Sequence, residues 1–311
     1  MRVVFMGTPD FSVPTLQALV QAGHELTAVV TQPDRPRGRG KKEAAPPVKV
    51  AAQAFQLPVF QPQRVRDPEF LEVLKRLAPE IIVVAAYGRI LPPAILDLPV
   101  YGCVNVHASL LPKYRGSAPL HWVVINGERE TGITIMRMDE GMDTGAILLK
   151  EAVPISEVDN VGIVHDKLAA LGARLLVQAL DLAGRGELVG TPQDGEPSYA
   201  PMLKAQDEIV EWERPVRQLH NQIRGMDPWP GARTTLLGRV LKLWRAAVVD
   251  ECTVGHVPGQ VLANGREGIT VGTGQGLLLV QELQLQGAKR MSAADFARGN
   301  PLPAATILGS S

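Results

Sequence analysis

Residues 1–30 read M-R-V-V-F-M-G-T-P-D-F-S-V-P-T-L-Q-A-L-V-Q-A-G-H-E-L-T-A-V-V. Val3, Val4, Phe5 and Met6 are consecutive apolar residues ended by Gly7, the pattern of a strand buried on both faces. Val13, Leu16, Leu19 and Val20 then fall at helical spacing, and Gly23 stops the helix. Leu26 to Val30 is a second apolar run. Strand, helix, strand is the start of a parallel α/β sheet. Further strands are predicted at Glu80–Ala86, Cys103–Val106 and Gly132–Met138, with helices near 48–56, 68–77 and 118–126 and a long one over 159–183. The fold class predicted is therefore α/β with a parallel-rich sheet over residues 1–189. Residues 190–206, with Gly190, Pro192, Gly195, Pro197 and Pro201, are expected to be a linker. Brief strands punctuated by glycine at Val240–Trp244, Gly259–Leu262, Ile269–Gly272 and Leu277–Glu282 predict a small β domain over 207–311.

The chain has 311 residues, 45% apolar and 21% charged, so it is globular rather than disordered or fibrous. Thirty-two Lys and Arg balance thirty-two Asp and Glu, which excludes a uniformly basic nucleic-acid binder but not a local basic patch. Cys103 and Cys252 cannot build a disulfide framework or a structural zinc site, and a reducing compartment is expected. The first residues lack a secretory signal, and no apolar run is long enough for a transmembrane helix, so a soluble cytoplasmic protein is expected.

Four segments could carry chemistry. Gly7-Thr8-Pro9-Asp10-Phe11 follows the first strand without the G-x-G-x-x-G of a dinucleotide site. It is either a plain turn or a backbone wall beside a ligand at the carboxyl edge of the sheet. Residues 31–42, T-Q-P-D-R-P-R-G-R-G-K-K, set Arg35, Arg37, Arg39, Lys41 and Lys42 against Asp34 alone, a local charge of +4. Such a loop is either a solvated face or a contact for phosphates. Residues 105–119, N-V-H-A-S-L-L-P-K-Y-R-G-S-A-P, place Asn105 and His107 two apart at the end of an apolar strand, on one face. The stretch 139–145, D-E-G-M-D-T-G, places Asp143 in a glycine turn, where it either forms an Asx turn or reaches His107. Amide, imidazole and carboxylate together could manage a tetrahedral intermediate and its protons without a covalent nucleophile. Ser109 and Ser117 lack a nucleophile elbow, and Cys103 lies in a buried run. His24, His121, His165, His220 and His256 have no metal-ligand spacing, so no metal is expected.

Taken together, S-L-L-P within 105–119, G-M-D-T-G, the opening F-M-G-T-P-D-F and the basic segment resemble the methionyl-tRNA formyltransferase family, over essentially the whole chain. The Asn, His, Asp and S-L-L-P elements resemble the wider folate-dependent formyltransferase superfamily. The basic loop is similar to the tRNA-directed branch in particular. Lys113-Tyr114 stands where the family pattern has a larger ring before Arg115-Gly116. The resemblance implies a Rossmann-like catalytic domain, a linker and a C-terminal OB-like barrel that binds tRNA. It implies formyl transfer from 10-formyltetrahydrofolate to the α-amine of methionyl-initiator tRNA, with no metal. By the same resemblance Asn105, His107 and Asp143 are catalytic, and Ser109, Leu110, Leu111 and Pro112 bind the folate. Arg35, Arg37, Arg39, Lys41 and Lys42 contact tRNA, and the chain acts as a cytoplasmic monomer. From Pro201 to the end of the chain, Lys204, Lys242, Lys289 and Arg290 are the candidate tRNA contacts. Two other readings remain at this stage: an RNA-binding scaffold with a degenerate site, and a formyltransferase for a sugar nucleotide or another small amine.

Overall fold

The first strand, β1 (Arg2–Gly7), is buried at every position from Val3 to Met6, and sheet is built on both sides of it. The structure is a computed structural model and describes residues 1–37, 42–303 and 306–310, with residues 37 and 42 in backbone only. The described chain divides into two compact units. The first comprises Met1–Pro119, Glu130–Pro154 and His165–Pro201, the second Leu120–Arg129, Ile155–Val164 and Met202–Ser311.

In the first unit β1 leads through α1 (Val13–Gln21) to β2 (Glu25–Val30), then to a two-stranded hairpin of β3 (Arg35–Arg37) and β4 (Lys42–Ala44). There follow α2 (Pro47–Ala54), β5 (Val59–Phe60), α3 (Pro68–Leu77), β6 (Ile81–Ala85), α4 (Pro93–Leu96) and β7 (Cys103–His107). After helix α5 (Pro119–Ile125), which falls in the second unit from Leu120 on, come β8 (Glu130–Arg137), β9 (Ile147–Pro154) and the long α6 (Val161–Gly184), which belongs to the first unit from His165 on. The sheet order is β5-β2-β1-β6-β7-β8-β9. The first five strands run parallel, while β8 and β9 are antiparallel to their neighbours. This is the Rossmann-like, parallel-rich sheet expected. Its strand order reverses direction at β1 and β6, so the carboxyl ends of β1, β6 and β7 border the crevice where such sheets take ligands. One core layer is formed by Val4, Met6, Val30, Phe70, Leu74, Ile82, Val84, Ile95 and Cys103.

The second unit holds α7 (Val216–Arg224), β10 (Ala232–Leu236), β11 (Arg239–Asp250), β12 (Val261–Asn264), β13 (Ile269–Gly272), β14 (Leu277–Leu285), β15 (Met291–Ser292) and α8 (Ala293–Gly299). Its sheet runs β10-β11-β14-β13-β12 with β15 beside β14, and all pairs are antiparallel. Register shifts in β11 between Leu243 and Arg245 and between Val248 and Asp250 add the coiling that a small OB-like sheet needs. Trp212, Leu219, Ile223, Leu243, Val271, Val280 and Phe296 form its core. Two of the polar residues buried on α7 donate to neighbouring backbone. Arg224 donates to the carbonyls of Ser156 and Asp159 and to Asn221 Oδ1, and Gln222 donates to the carbonyls of Asp207 and Ile209.

Candidate active site

Strand β7 ends with Asn105 and His107 on one face, and the loop after it carries the rest of the site. His107 is buried, 5% exposed, and its Nε2 lies 3.0 Å from the Tyr114 carbonyl oxygen. A carbonyl can only accept, so Nε2 carries the hydrogen and neutral His107 presents a lone pair at Nδ1. That nitrogen faces Asp143 Oδ1 at 3.7 Å. The gap is too long for a direct hydrogen bond and leaves the pair open to a substrate atom or a water. The Tyr114 carbonyl thus sets the tautomer, a role the residue types alone would give to Asp143. Burial pushes the imidazole below its ordinary value, while the Asp143 charge and the Tyr114 carbonyl pull it back up. Asn105 is half-buried, and its amide makes no hydrogen bond among the described residues, so a donor is left over on the strand face that carries His107.

Asp143 adopts φ +53°, a conformation that aspartate tolerates better than most residues. Its Oδ2 accepts from the Gly116 N–H at 2.8 Å, which turns Oδ1 toward His107. The Asx-type bonds of this turn belong instead to Asp139, which accepts from the Gly141 N–H and the Thr144 hydroxyl. Gly116 has φ +118°, and a Cβ there would sit 2.8 Å from the Ala200 carbonyl oxygen, so only glycine brings its N–H to Asp143.

Ser109 to Pro112 form a tight turn anchored on β8. Ser109 is fully buried, and its hydroxyl donates to the Lys113 carbonyl at 2.6 Å. Thr134 donates to the Ser109 carbonyl at 2.7 Å and accepts from the Leu111 N–H at 3.1 Å. Leu111 is buried as well, leaving Leu110 and Pro112 as the partly exposed side chains of the four. Leu110 lies over Gly132, where a Cβ would come within 2.5 Å of its Cδ2 and 2.1 Å of the Glu151 carbonyl. Burial raises the Cys103 thiol to about 12, aided by the Asp97 charge, which keeps it inert. Among the described residues no three His, Cys, Asp or Glu side chains gather as metal ligands would.

The basic segment takes the form of the β3–β4 hairpin, pairing residue 35 with 44 and 37 with 42. Arg35 is exposed, and Arg39 and Lys41 lie outside the described residues. Asp34 accepts from Lys49 at 2.7 Å and from Gln61 Nε2 at 2.7 Å. The Gln61 bond and then Lys49 hold its carboxyl below the ordinary range. The one carboxylate of the segment is therefore paired with a lysine from outside it. In the second unit Lys242 donates to the Pro230 carbonyl and lies over Trp244, and Arg290 is ion-paired with Asp227 and Glu282. Both cations are thus engaged within the second unit, while Lys204 and Lys289 are exposed.

The residues that sequence reasoning missed are Thr134, Gln193 and Ser198. Gln193 accepts from Arg115 and donates to the Asp143 and Gly145 carbonyls, and the Ser198 hydroxyl accepts from the Tyr114 N–H. A threonine between two isoleucines is a weak signal for Thr134, since Thr131 stands in the same strand. Gln193 and Ser198 carry no such signal.

The class of protein built on this sheet is that of the formyl transferases. Residues 1–180 match the formyl transferase family and residues 202–301 its C-terminal domain. A methionyl-tRNA formyltransferase of Pelotomaculum thermopropionicum is 64% identical over 309 residues, covering 99% of each chain. One from Geobacter sulfurreducens is 53% identical over 310 residues, covering 99% of this chain and 97% of its own. The chain belongs to the methionyl-tRNA formyltransferase family. Among solved structures, HypX from Aquifex aeolicus in complex with tetrahydrofolic acid superimposes with a TM-score of 0.66 at 19% identity. The match covers 96% of this chain and 47% of HypX, so the chain spans about half of that protein. An N-formyltransferase from Helicobacter canadensis in complex with folinic acid and dTDP-3-aminofucose gives 0.64 at 18%, covering 90% of this chain and 98% of its own. These two likenesses are of fold alone.

Proposed function

We propose that the chain transfers the formyl group of 10-formyltetrahydrofolate to the α-amine of methionyl-initiator tRNA. The observation that carries this reading is the open His107–Asp143 pair, with Asn105 on the same face of β7, in a chain of this family throughout its length. The neutral amine attacks the formyl carbon, and Asn105 donates to the oxygen as it gains charge. The proton leaving the amine goes to His107 Nδ1, where the imidazolium faces Asp143. It then passes to folate N10 as the N10–carbon bond breaks. Burial keeps His107 neutral before the reaction, as a base must be.

In this reading the turn 109–112 borders the folate through Leu110, Pro112 and its backbone. Buried Ser109 and Leu111 shape the turn from within. Arg35, Arg37, Arg39, Lys41 and Lys42 meet the phosphates of the acceptor end, and residues 207–311 give a second, positioning contact with tRNA, joined to the catalytic domain 1–189 through 190–206. The chain acts as a monomer in the cytoplasm. Among the described residues no helix is long and apolar enough to cross a membrane. The test is a formyl-transfer assay with the purified chain, 10-formyltetrahydrofolate and charged initiator tRNA. Charged elongator tRNA and free methionine serve as competing acceptors. Formylation of the initiator alone is expected. Equal turnover of a small free amine would overturn the tRNA assignment.

A further inference from the structure

Residues 191–200 run along both loops that hold the reacting groups. Thr191 exchanges two backbone hydrogen bonds with Ile147, each 2.8 Å, at the start of β9. At the other end, the Arg115 N–H donates to the Ser198 carbonyl at 2.8 Å and the Ala200 N–H to the Arg115 carbonyl at 2.7 Å. The Tyr114 N–H donates to Ser198 Oγ at 2.9 Å. Between these anchors Gln193 uses its whole amide. Its Oε1 accepts from Arg115 Nε at 3.2 Å and Nη2 at 2.6 Å, and its Nε2 donates to the carbonyls of Asp143 at 2.7 Å and Gly145 at 2.9 Å.

We propose that Gln193 is a positioning residue that ties the 114–116 loop to the 143–145 turn and so sets the geometry between His107 and Asp143. Each side of the His107 ring is governed by one of these two loops: the Tyr114 carbonyl at Nε2 and the Asp143 carboxylate at Nδ1. The strap binds the backbone of both. A glutamine suits the position because donor and acceptor are needed together. Glutamate, of the same size, can still accept from Arg115 but cannot donate to the two carbonyls. The inference rests on His107 and Asp143 forming the reacting centre.

The experiment compares Gln193→Glu, Gln193→Ala and Asp143→Asn in the full chain, measuring kcat, KM for both substrates, the pH profile and Tm. Misplacement of a reacting group by about 1 Å can cost on the order of 100-fold, so both Gln193 variants should lose roughly 10- to 100-fold in kcat. KM should change little. The charged group facing His107 is Asp143, from the β8–β9 turn, and the polar group on the opposite side is the Tyr114 carbonyl. Loosening Asp143 removes an influence that raises the imidazole, so the acid limb of the pH profile should move to lower pH in Gln193→Ala; in Gln193→Glu the added carboxylate opposes that shift, and the loss of kcat is its readout. A lower Tm with kcat and the acid limb unchanged, while Asp143→Asn is impaired, would overturn the strap. Should Gln193→Ala not fold, Gln193→Glu decides alone, because it keeps the pairing with Arg115. If Asp143→Asn is as active as the parent chain, the catalytic reading itself falls, and the role of the strap with it.

Discussion

Replacing Asp143 by Asn removes one charge at 3.7 Å from His107 Nδ1 while keeping an oxygen to accept from the Gly116 N–H, so the turn should survive. With unit charges at 3.7 Å and an effective dielectric of about 20, the attraction for an imidazolium is on the order of 4 kcal/mol. Asp143 is 17% exposed, and solvent screens part of this, so about 2 to 4 kcal/mol is the working range. Realised wholly in the transition state, where the imidazolium forms, that is roughly 30- to 1,000-fold in kcat. The KM for folate and for tRNA should hold, since the charge acts only once the proton has moved. The pH profile gives an independent sign. A base works when neutral, so activity falls as the pH drops through the His107 value. Without Asp143, burial lowers that value against the Tyr114 carbonyl alone, and the acid limb moves to lower pH. The assay is a single-turnover quench with 10-formyltetrahydrofolate and charged initiator tRNA across pH. An Asp143→Asn variant within about threefold of the parent rate, with the same acid limb, would refute the placement of the proton on His107.

Asn105→Ala should cut kcat by about 100- to 1,000-fold and leave the urea midpoint unchanged, because the amide makes no hydrogen bond among the described residues; a matching loss of stability would make Asn105 structural instead. Gly132→Ala should destabilise the fold by about 1–3 kcal/mol in urea melts and raise the folate KM, since the new methyl meets Leu110 and the Glu151 carbonyl. Burial depresses both His107 and His220 below their ordinary value of 6.5, so the unfolded chain takes up protons first. Stability should therefore be intact above that value and decline as the pH falls through it; a urea midpoint equal at acid and neutral pH in the parent chain would contradict this. Neutralising Arg35, Arg37, Arg39, Lys41 and Lys42 should slow formylation and flatten the salt dependence of tRNA binding, with folate binding intact. The log–log slope should fall by roughly 0.7–0.9 for each phosphate no longer neutralised. An unchanged slope would remove the loop from the interface.

How much of this was legible depends on where each element's information lies. Strands β1, β2, β6 and β7 announce themselves because a strand buried on both faces must be apolar throughout, and no exposed residue interrupts Val3–Met6 or Ile81–Ala85. Strand β9 does not, because it is the edge of the sheet: Lys150 and Glu151 stand mid-strand, and half-buried positions alternate with exposed ones. The prediction ends β11 at Trp244, where Arg245 interrupts the apolar run, yet the strand continues through Ala246, Ala247, Val248 and Val249 to Asp250. The period of two put Asn105 and His107 on one face from sequence alone. Nothing local separates Asp143 from Asp139, four residues earlier in the same turn; that choice is made by the Gly116 N–H, 27 residues away. The strap was further out of reach. Gly195 and Pro197 mark 190–206 as irregular chain, and irregular it is, but that says nothing about what the chain lies against. Its useful bonds join residues 78, 50 and 84 positions apart, from Gln193 to Arg115 and Asp143 and from Ser198 to Tyr114. A segment free of helix and of regular ladder keeps its side-chain amides and hydroxyls available for other loops, and the composition that reads as a linker is also what lets Gln193 and Ser198 brace the site.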